Sequence, residues 1–329
     1  MSSIPVLAST ISPQYLEDLI ISKYGLEKGT KCELLRTGMN HTYKIKSSSK
    51  NYILRLYSFN WRSKTEIQEE LDLLLDLSGS GIAVSFPVQN SNMEYLNELI
   101  APEGLRYFVL FSFANGKKVR NLNNNLCFEI GGMVATIHNE VRDRSIKRIS
   151  YGVDNMIEES FKTVKSFFDG SIDSMKYLQK INRIVANKLG ETDYLNIRKG
   201  IVHLDIWYDN MAIANNNDIT IFDFDFCGNG LLITDVAYFL NQLYHIEPDK
   251  NRYEELRKEF LEGYGKRAEI TSGELELVPF LGWSAFMFYL GIQVKRLDWS
   301  NVFLSENYLD MYVGRMKSWI DYHGDNVKV

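Results

Sequence analysis

The sequence predicts an α+β protein with a small N-terminal sheet lobe followed by a larger, mostly helical lobe. Residues 31–57 contain short apolar runs separated by glycine- and serine-rich turns, the pattern typical of antiparallel strands. From Leu126 onward the apolar residues recur at helical spacing instead. A chain of 329 residues is long enough to form two such lobes.

The composition is that of an ordinary soluble globular protein, with 45% hydrophobic and 24% charged residues. The net charge is −5, from 37 Lys and Arg against 42 Asp and Glu. A dedicated nucleic-acid binder would carry a strong basic excess, so we expect no nucleic-acid partner. The acidic balance is compatible with a cationic substrate.

The cysteine pattern favours a reducing compartment. The three cysteines are scattered, at Cys32, Cys127 and Cys227, without metal-ligand spacing or a disulfide framework. Residues 1–12 lack the basic and apolar regions of a signal peptide. The most apolar stretch, 278–294, is short for a membrane span and is better explained as a buried helix. We therefore expect a cytoplasmic protein without a membrane partner.

The N-terminal elements can be predicted in order. Ser12 and Pro13 indicate the start of a helix, which Gly25 ends. Strands are expected at 32–36, 44–45 and 52–57. Residues 65–77 form a strongly amphipathic helix pattern, and 106–113 form a largely apolar strand.

The C-terminal elements are predicted mainly as helices. They are expected at 128–139, 156–168, 172–189, 235–244, 253–264, 271–294 and 302–322. Thr234 is the expected N-cap of the helix at 235–244, and Thr271 with Glu274 forms a capping-box pattern. His138, near the end of its helix, is expected to be structural.

The stretch 200–240 carries the strongest functional signal. It contains the pattern H-x-D-x-x-x-x-N at His203, Asp205 and Asn210. A hairpin follows, with strands at 211–214 and 219–222 joined by a turn at 215–218. The return strand leads to Asp223, and Asp225 stands two residues on. An extended backbone would place both carboxylates on one side.

Phosphoryl transfer requires residues of these types. One carboxylate must orient and deprotonate an attacking hydroxyl, and hard oxygen ligands must hold Mg²⁺ against nucleotide phosphates. Asp205 suits the first task as catalytic base. Asn210 and Asp223, brought together by the hairpin, suit the second, with Asp225 as a further ligand.

Three segments resemble the aminoglycoside phosphotransferase and choline kinase superfamily: H-L-D-I-W-Y-D-N, I-F-D-F-D and T-D-V-A-Y-F-L. Members of that superfamily are small kinases with a bilobal protein-kinase-like fold. The resemblance implies a hinge at 114–116. It therefore implies a nucleotide-binding lobe with a leading helix at 1–115, and a helical lobe with the catalytic loop and acceptor site at 116–329.

The resemblance also assigns roles outside the hairpin. Arg55 lies on the strand where protein-kinase-like enzymes carry a phosphate-binding lysine, and Glu70 on the following helix is its expected partner. Independently of the resemblance, the glycine turn after the first predicted strand offers Gly38 for close backbone approach to a phosphate, supported by Asn40. Asp235 and His203 are implied as structural support for the catalytic loop.

The predicted function is ATP- or GTP-dependent, Mg²⁺-assisted phosphorylation of a hydroxyl group on a small molecule. The acceptor could be an amino alcohol, a homoserine-like amino acid, a sugar or an aminoglycoside. One alternative is a serine/threonine protein kinase of the bacterial stress-response type, although no long activation segment is recognisable. Another is a catalytically weak nucleotide-binding regulator, suggested by Arg55. A metal-dependent hydrolase ranks last, because it gives the N-terminal features no purpose.

Overall fold

The computed structural model describes residues 4–215 and 218–324. The chain divides into two compact units, Met1–Asn115 and Gly116–Val329. The first unit contains a five-stranded antiparallel sheet, and the second is mostly helical. The predicted fold class is therefore confirmed.

The N-terminal unit is a sheet with one helix before its first strand and a second helix between its third and fourth strands. Helix α1 (Pro13–Tyr24) begins after Ser12 and ends at Gly25, whose φ of 61° is left-handed. Helix α2 (Lys64–Gly79) begins with a capping box formed by Ser63 and Glu66. The strands are β1 (Lys31–Arg36), β2 (His41–Lys46), β3 (Asn51–Leu56), β4 (Asn97–Ala101) and β5 (Gly104–Ser112), in the spatial order β1-β2-β3-β5-β4.

Strand β3 lies at the centre of this sheet, between β2 and β5. In the register, Arg55 stands opposite Thr42 on β2 and Val109 on β5. The apolar core beneath combines α1 with side chains of the central strands, among them Leu16, Tyr43 and Phe108. Because a strand paired on both sides is rigidly held, β3 fixes the backbone position of Arg55.

The C-terminal unit contains eight helices and two small sheets in the part of the chain described. The helices are α3 (Asn124–Val141), α4 (Glu159–Lys165), α5 (Asp173–Gly190), α6 (Ile233–Ile246), α7 (Lys250–Gly265), α8 (Ser272–Lys295), α9 (Leu297–Ser300) and α10 (Glu306–Tyr322). The sheets pair β6 (Lys199–Val202) with β9 (Gly228–Leu231), and β7 (Met211–Ile213) with β8 (Ile219–Ile221), both antiparallel.

Two glycine contacts bring α3 and α7 unusually close together. A Cβ atom added at Gly131 would lie 2.0 Å from the Phe260 carbonyl oxygen, and one at Gly263 would lie 1.9 Å from the Phe128 carbonyl oxygen. Only glycine permits backbones to approach this closely. The pairing fixes the position of α3, which carries His138 to the candidate site.

Helix α8 is the core helix of this unit. Within 4–215 and 218–324 it is the one helix long and apolar enough to cross a membrane, but 83% of its apolar window is buried in the protein. Trp283 in its middle is fully buried. The interpretation of this stretch as a buried helix is confirmed. Its N-terminus has the expected capping box, formed by Thr271 and Glu274.

One local prediction around the hairpin requires correction, and another lies partly outside the described residues. Thr234 is not an N-cap: α6 already begins at Ile233, so Asp235 lies within its first turn. The predicted turn at 215–218 includes residues 216 and 217, which lie outside the described residues. The strands on either side pair as expected, with Met211 opposite Ile221.

Candidate active site

Asp205 and Asn210 are joined directly in the loop after β6. The Asn210 amide nitrogen donates to Asp205 Oδ2 at 2.6 Å and to the Asp205 carbonyl oxygen at 3.0 Å. Asn210 is buried, whereas Asp205 is only partly buried. The predicted base is thus held by the predicted metal ligand, and the amide oxygen of Asn210 is turned away from this contact.

Two tyrosines complete the surroundings of Asp205. The Tyr238 hydroxyl, from α6, donates to Asp205 Oδ1 at 2.8 Å. The Tyr289 hydroxyl, from α8, donates to the Leu204 carbonyl oxygen at 3.3 Å. Both tyrosine rings also pack against each other, with centroids 5.5 Å apart. Asn210 and Tyr238 thus each donate to a different carboxylate oxygen of Asp205, and the Tyr289 side chain also interacts with this carboxylate.

The electrostatic environment makes Asp205 a stronger base than an ordinary aspartate. Burial, and secondly the negative charge of Asp223, raise the pKa of Asp205 to about 8. The hydrogen bonds from Tyr238 and Asn210 act in the opposite direction. A carboxyl group whose pKa lies near neutrality is suited to accept a proton during the reaction.

The hairpin brings Asp223 to the same end as Asn210. The Phe222 backbone N–H donates to the Asn210 carbonyl oxygen at 3.0 Å, so the residue before Asp223 is bonded to Asn210. Asp223 itself is partly buried and has a left-handed φ of 68°. Aspartate tolerates this conformation better than most residues, and such strained positions cluster at functional sites.

The expectation of an extended backbone from Asp223 to Asp225 is wrong. Asp223 is left-handed and Phe224–Phe226 form a 3₁₀ turn, so the two carboxylates do not alternate along a strand. Asp225 is only 2% exposed, and Arg148 donates to its carbonyl oxygen. The turn follows from the conformation of Asp223, which ends β8 by redirecting the chain.

The side chain of Asp235 holds the backbone of the loop at 203–210, which carries Asp205 and is called the catalytic loop below. Its carboxylate accepts hydrogen bonds from the backbone N–H groups of His203 at 2.8 Å and Leu204 at 2.6 Å. It also accepts one from His138 Nε2 at 3.2 Å, and the Tyr264 hydroxyl lies 2.8 Å from His138 Nδ1. Leu204 is left-handed, with a φ of 65°, so the carboxylate restrains a strained residue next to Asp205.

His203 links the catalytic loop to the end of β8. Its Nδ1 accepts from the Asp205 backbone N–H at 3.1 Å, so the ring proton lies on Nε2, which donates to the Phe222 carbonyl oxygen at 3.1 Å. Burial lowers the pKa of His203, which keeps the ring neutral and preserves this tautomer. The His203 side chain thereby connects Phe222, the residue before Asp223, to the backbone of Asp205.

In the N-terminal unit, Arg55 and Glu70 form a buried ion pair. Arg55 Nη1 donates to Glu70 Oε1 at 2.6 Å, and the Tyr57 hydroxyl donates to Glu70 Oε2 at 3.2 Å. Glu70 is fully buried and Arg55 is 8% exposed. The guanidinium carbon also lies 4.9 Å from the centroid of the Phe111 ring. The structure thus brings together the cation and carboxylate that the sequence paired.

The turn between β1 and β2 contains Gly38 and Asn40, both buried. Asn40 Oδ1 accepts from the Ser58 backbone N–H at 3.2 Å, and the Ser58 hydroxyl donates to the Met39 carbonyl oxygen at 2.7 Å. These bonds attach the turn to the segment after β3. Asn40 therefore stabilises the turn with its side chain.

Over the described ranges, no cluster of three or more His, Cys, Asp or Glu side chains forms a ready-made metal cage. A magnesium site of the kinase type does not require one. Mg²⁺ is commonly held by one or two protein oxygens together with substrate phosphates and water. The amide oxygen of Asn210 and the carboxylate of Asp223 are oxygen donors of this kind, so the residues present fit the ion.

The kinase-like fold, with Asp205, Asn210 and Asp223 close together around one hairpin, is that of a kinase-like phosphotransferase. The model of the phosphotransferase enzyme family matches residues 31–274, and the chain belongs to that family. The resemblance to the aminoglycoside phosphotransferase and choline kinase superfamily is thereby confirmed. The protein is a phosphotransferase that acts on hydroxyl-bearing small molecules.

Curated relatives span most of the chain. A Synechocystis protein without an assigned function is 28% identical over 304 residues, covering 90% of this chain and 82% of the relative. A homoserine kinase of Bradyrhizobium diazoefficiens is 26% identical over 303 residues, covering 90% and 85%. These relatives extend the similarity well beyond the catalytic hairpin.

Solved structures show the same fold at low identity. An amicoumacin kinase, solved with AMP-PNP and Ca²⁺, has a TM-score of 0.78 at 22% identity and covers 95% of this chain and 94% of its own. A microcompartment-associated aminopropanol kinase has a TM-score of 0.78 at 18% identity, covering 95% and 99%. The fold is thus shared by kinases with different acceptors.

The sequence did not predict the contacts of Tyr238 and Tyr289 at this site, and it predicted His138 as structural without its contact with Asp235. Tyr238 had a usable signal, since it stands three residues after Asp235 and so shares a helix face with it. Tyr289 and His138 had none, because they reach the catalytic loop from helices distant in sequence.

Proposed function

We propose that the protein transfers the γ-phosphate of ATP to the hydroxyl group of a small amino alcohol, with Mg²⁺ as cofactor. The observation that carries this proposal is the hydrogen-bonded unit of Asp205, Asn210 and the end of β8. It joins a proton acceptor with a pKa of about 8 to two oxygen donors on one hairpin.

Asp205 acts on the acceptor hydroxyl. Its carboxylate accepts a hydrogen bond from the hydroxyl, orients the oxygen toward the γ-phosphorus, and takes the proton as the new O–P bond forms. The bond between the γ-phosphorus and the bridging oxygen breaks, and ADP leaves with that electron pair. Tyr238 and Asn210 keep the carboxylate in position throughout.

The metal-binding part of the proposal rests on Asn210 and Asp223. The amide nitrogen of Asn210 is used twice toward Asp205, so the oxygen of the same amide is the atom offered to a cation. Asp223 supplies the anionic ligand, and Asp225 is proposed as an additional or water-mediated ligand. The ion would neutralise phosphate charge, and would also weaken the repulsion that Asp223 exerts on Asp205.

The nucleotide-binding part of the proposal rests on the N-terminal unit. Arg55, oriented by Glu70, would neutralise phosphate oxygens in place of the lysine found in protein kinases. Gly38 would allow the β1–β2 turn to approach a phosphate, with Asn40 supporting that turn. The intact ion pair argues against a catalytically weak regulator, because the substituted cation keeps its carboxylate partner.

One observation favours a small amino alcohol as acceptor, and another disfavours a protein. Relatives similar to this chain are named as homoserine kinase and aminopropanol kinase, and both names denote small molecules with a hydroxyl and an amine. The chain between Asp223 and Asp235 is occupied by a 3₁₀ turn, β9 and the start of α6. That short connection contains no extended activation segment, which disfavours a protein substrate.

The free, buried cysteines support a cytoplasmic location.

An acceptor screen that follows ADP release tests this function directly. Homoserine, 1-amino-2-propanol, choline, a simple sugar and an aminoglycoside would be compared, each with ATP or GTP and Mg²⁺. We expect Asp205→Ala to lower turnover on the identified acceptor at least 1,000-fold, toward the upper range of about 10²–10⁴ for acid–base catalysis, while nucleotide still raises the melting temperature.

Asp209→Asn is the matched control, since it removes a carboxylate from the same loop. Asp209 forms a partly exposed ion pair with Lys118, at 2.7 Å. This variant should retain turnover within about twofold, because such ion pairs contribute about 0–1 kcal/mol. If Asp205→Ala kept the turnover of the control, the assignment of the base would be wrong.

A further inference from the structure

The C-terminal unit contains a cavity that the catalytic proposal does not use. Its volume is about 320 Å³, at the lower end of the range for small-molecule sites. Apolar side chains form most of its wall, including Met156, Leu189, Leu231 and Leu281. Met156 stands in a π-helical turn, Asp154–Glu158, a type of turn that occurs frequently at functional sites.

Two glycines leave this cavity open. A Cβ atom added at Gly152 or Gly190 would meet no other atom within 4 Å. Both residues line the cavity, and neither has a positive φ, so their small size is not required by the backbone. The space in front of them is therefore accessible to a ligand, and a larger side chain at Gly190 could occupy it.

The polar groups of the cavity select a particular ligand chemistry. Lys199 is an exposed lining residue whose ammonium lies 5.8 Å from the Tyr194 ring centroid. Within the part of the chain that the structure describes, no carboxylate pairs with Lys199 at ion-pair distance. Thr234, which is 2% exposed, adds a hydroxyl to the wall. An apolar body with one anionic group matches this distribution.

Three parts of the wall connect to the candidate active site. Strand β6, which begins at Lys199, leads directly into His203. The Tyr151 hydroxyl donates to the Phe226 carbonyl oxygen at 2.6 Å, in the turn after Asp223. Thr234 immediately precedes Asp235. A ligand in the cavity would therefore contact residues that are bonded to, or on the same segment as, the supports of the catalytic loop.

We infer that this cavity binds a small carboxylate with an apolar body, and that its occupancy changes nucleotide affinity through these three supports. The coupling half of this inference rests on the proposed function, whereas the binding half is independent of it. By linkage, a ligand that alters MgATP affinity must itself be bound with altered affinity when MgATP is present.

Methyl NMR of protein labelled at the methionine methyl groups tests the binding half. The chain has ten methionines, of which Met156 reports on the cavity and buried Met316 on α10 is an internal control. We expect 3-phenylpropanoate to shift the Met156 signal saturably and leave Met316 unchanged. The matched neutral probe, 3-phenylpropanamide, should bind at least threefold more weakly.

Two variants separate the cavity from nonspecific binding. Gly190→Phe should abolish the saturable shift by filling the space, and Lys199→Gln should weaken binding about three- to fivefold, the upper part of the range for an exposed ion pair. Lys258→Gln, which removes an exposed lysine from α7, is the matched control and should bind normally. Absence of a saturable Met156 shift, equal binding of the amide, or unaltered binding by Lys199→Gln would overturn the inferred site.

MgATP titrations with and without saturating 3-phenylpropanoate test the coupling half. We expect at least a twofold change in MgATP affinity in the natural protein and none in Gly190→Phe. Binding of the probe without any change in MgATP affinity would overturn the coupling. Complete absence of MgATP binding would instead contradict the proposed function, and the NMR result would still decide the cavity.

Discussion

Replacement of Asp235 by Asn tests how the catalytic loop is held together. The carboxylate accepts two backbone hydrogen bonds, from His203 and Leu204, and a third from His138. An asparagine has a single acceptor oxygen, so its NH₂ group would face a buried N–H donor. The loss of one charge-assisted hydrogen bond costs about 1–3 kcal/mol, and the buried donor that is left unsatisfied costs about 1–3 kcal/mol more.

We therefore expect Asp235→Asn to lower the free energy of unfolding by about 3–4 kcal/mol, allowing for partial rearrangement of the loop. Urea unfolding followed by tryptophan fluorescence is a suitable assay. Four of the five tryptophans lie in the C-terminal unit, at Trp207, Trp283, Trp299 and Trp319. The signal therefore reports mainly on the unit that contains Asp235.

Asp205→Asn is the informative comparison, because it makes the same chemical change in the loop to which Asp235 is bonded. The Asp205 carboxylate is disfavoured by burial and by Asp223, so removing its charge should leave stability within about 1 kcal/mol of the natural protein or raise it. Both variants should lose activity, the first through release of the left-handed Leu204 and the second through loss of the base. An unfolding midpoint of Asp235→Asn equal to that of the natural protein would refute the reasoning.

Three further predictions concern other parts of the molecule. Glu70→Gln keeps the size of the buried partner of Arg55 but removes its charge, and should raise the KM for ATP about tenfold with a smaller change in kcat, measured by steady-state kinetics; an unchanged KM would contradict the orienting role. Asp223→Ala should eliminate the Mg²⁺-dependent part of nucleotide binding in calorimetry, and persistence of that part would remove Asp223 from the metal site. Burial, together with the charges of Arg315 and Lys250, lowers the pKa of His245 to about 3. Below pH 6.5 the unfolded chain therefore binds a proton at this histidine, whereas the folded protein does not. His245 therefore costs stability as pH falls, and His245→Phe, which can keep the stacking on Phe286, should remove about 1.5 kcal/mol of the loss between pH 6.5 and 5 in urea titrations; an unaltered pH slope would contradict this.

Elements with a strong local signal could be predicted from the sequence. Helix α2 was predicted at 65–77 and occurs at Lys64–Gly79, because its apolar period and its Ser63–Glu66 cap are both local features. The hairpin strands after Asn210 were predicted for the same reason. Predictions that depended on one residue's conformation failed, as at Thr234, where α6 begins earlier than the threonine suggests.

The candidate site also has features that could be predicted from the sequence and features that could not. The order of Asp205, Asn210 and Asp223 around one hairpin is written in consecutive sequence, so their proximity could be expected. The left-handed conformation of Asp223 could not, since only the surrounding contacts hold a non-glycine residue there. The orientation of Asp225 was mispredicted for that reason.

The sequence by itself determined the class of protein, because its motif residues are close in the chain and belong to a shared pattern. Tertiary structure alone decided how Asp205, the proposed base, is held and how basic its carboxylate is. Tyr238, Tyr289 and His138 reach the catalytic loop from three helices, α6, α8 and α3. Burial, hydrogen bonds and the charge of Asp223 then set the pKa of Asp205, and these depend on packing between segments that local sequence does not encode.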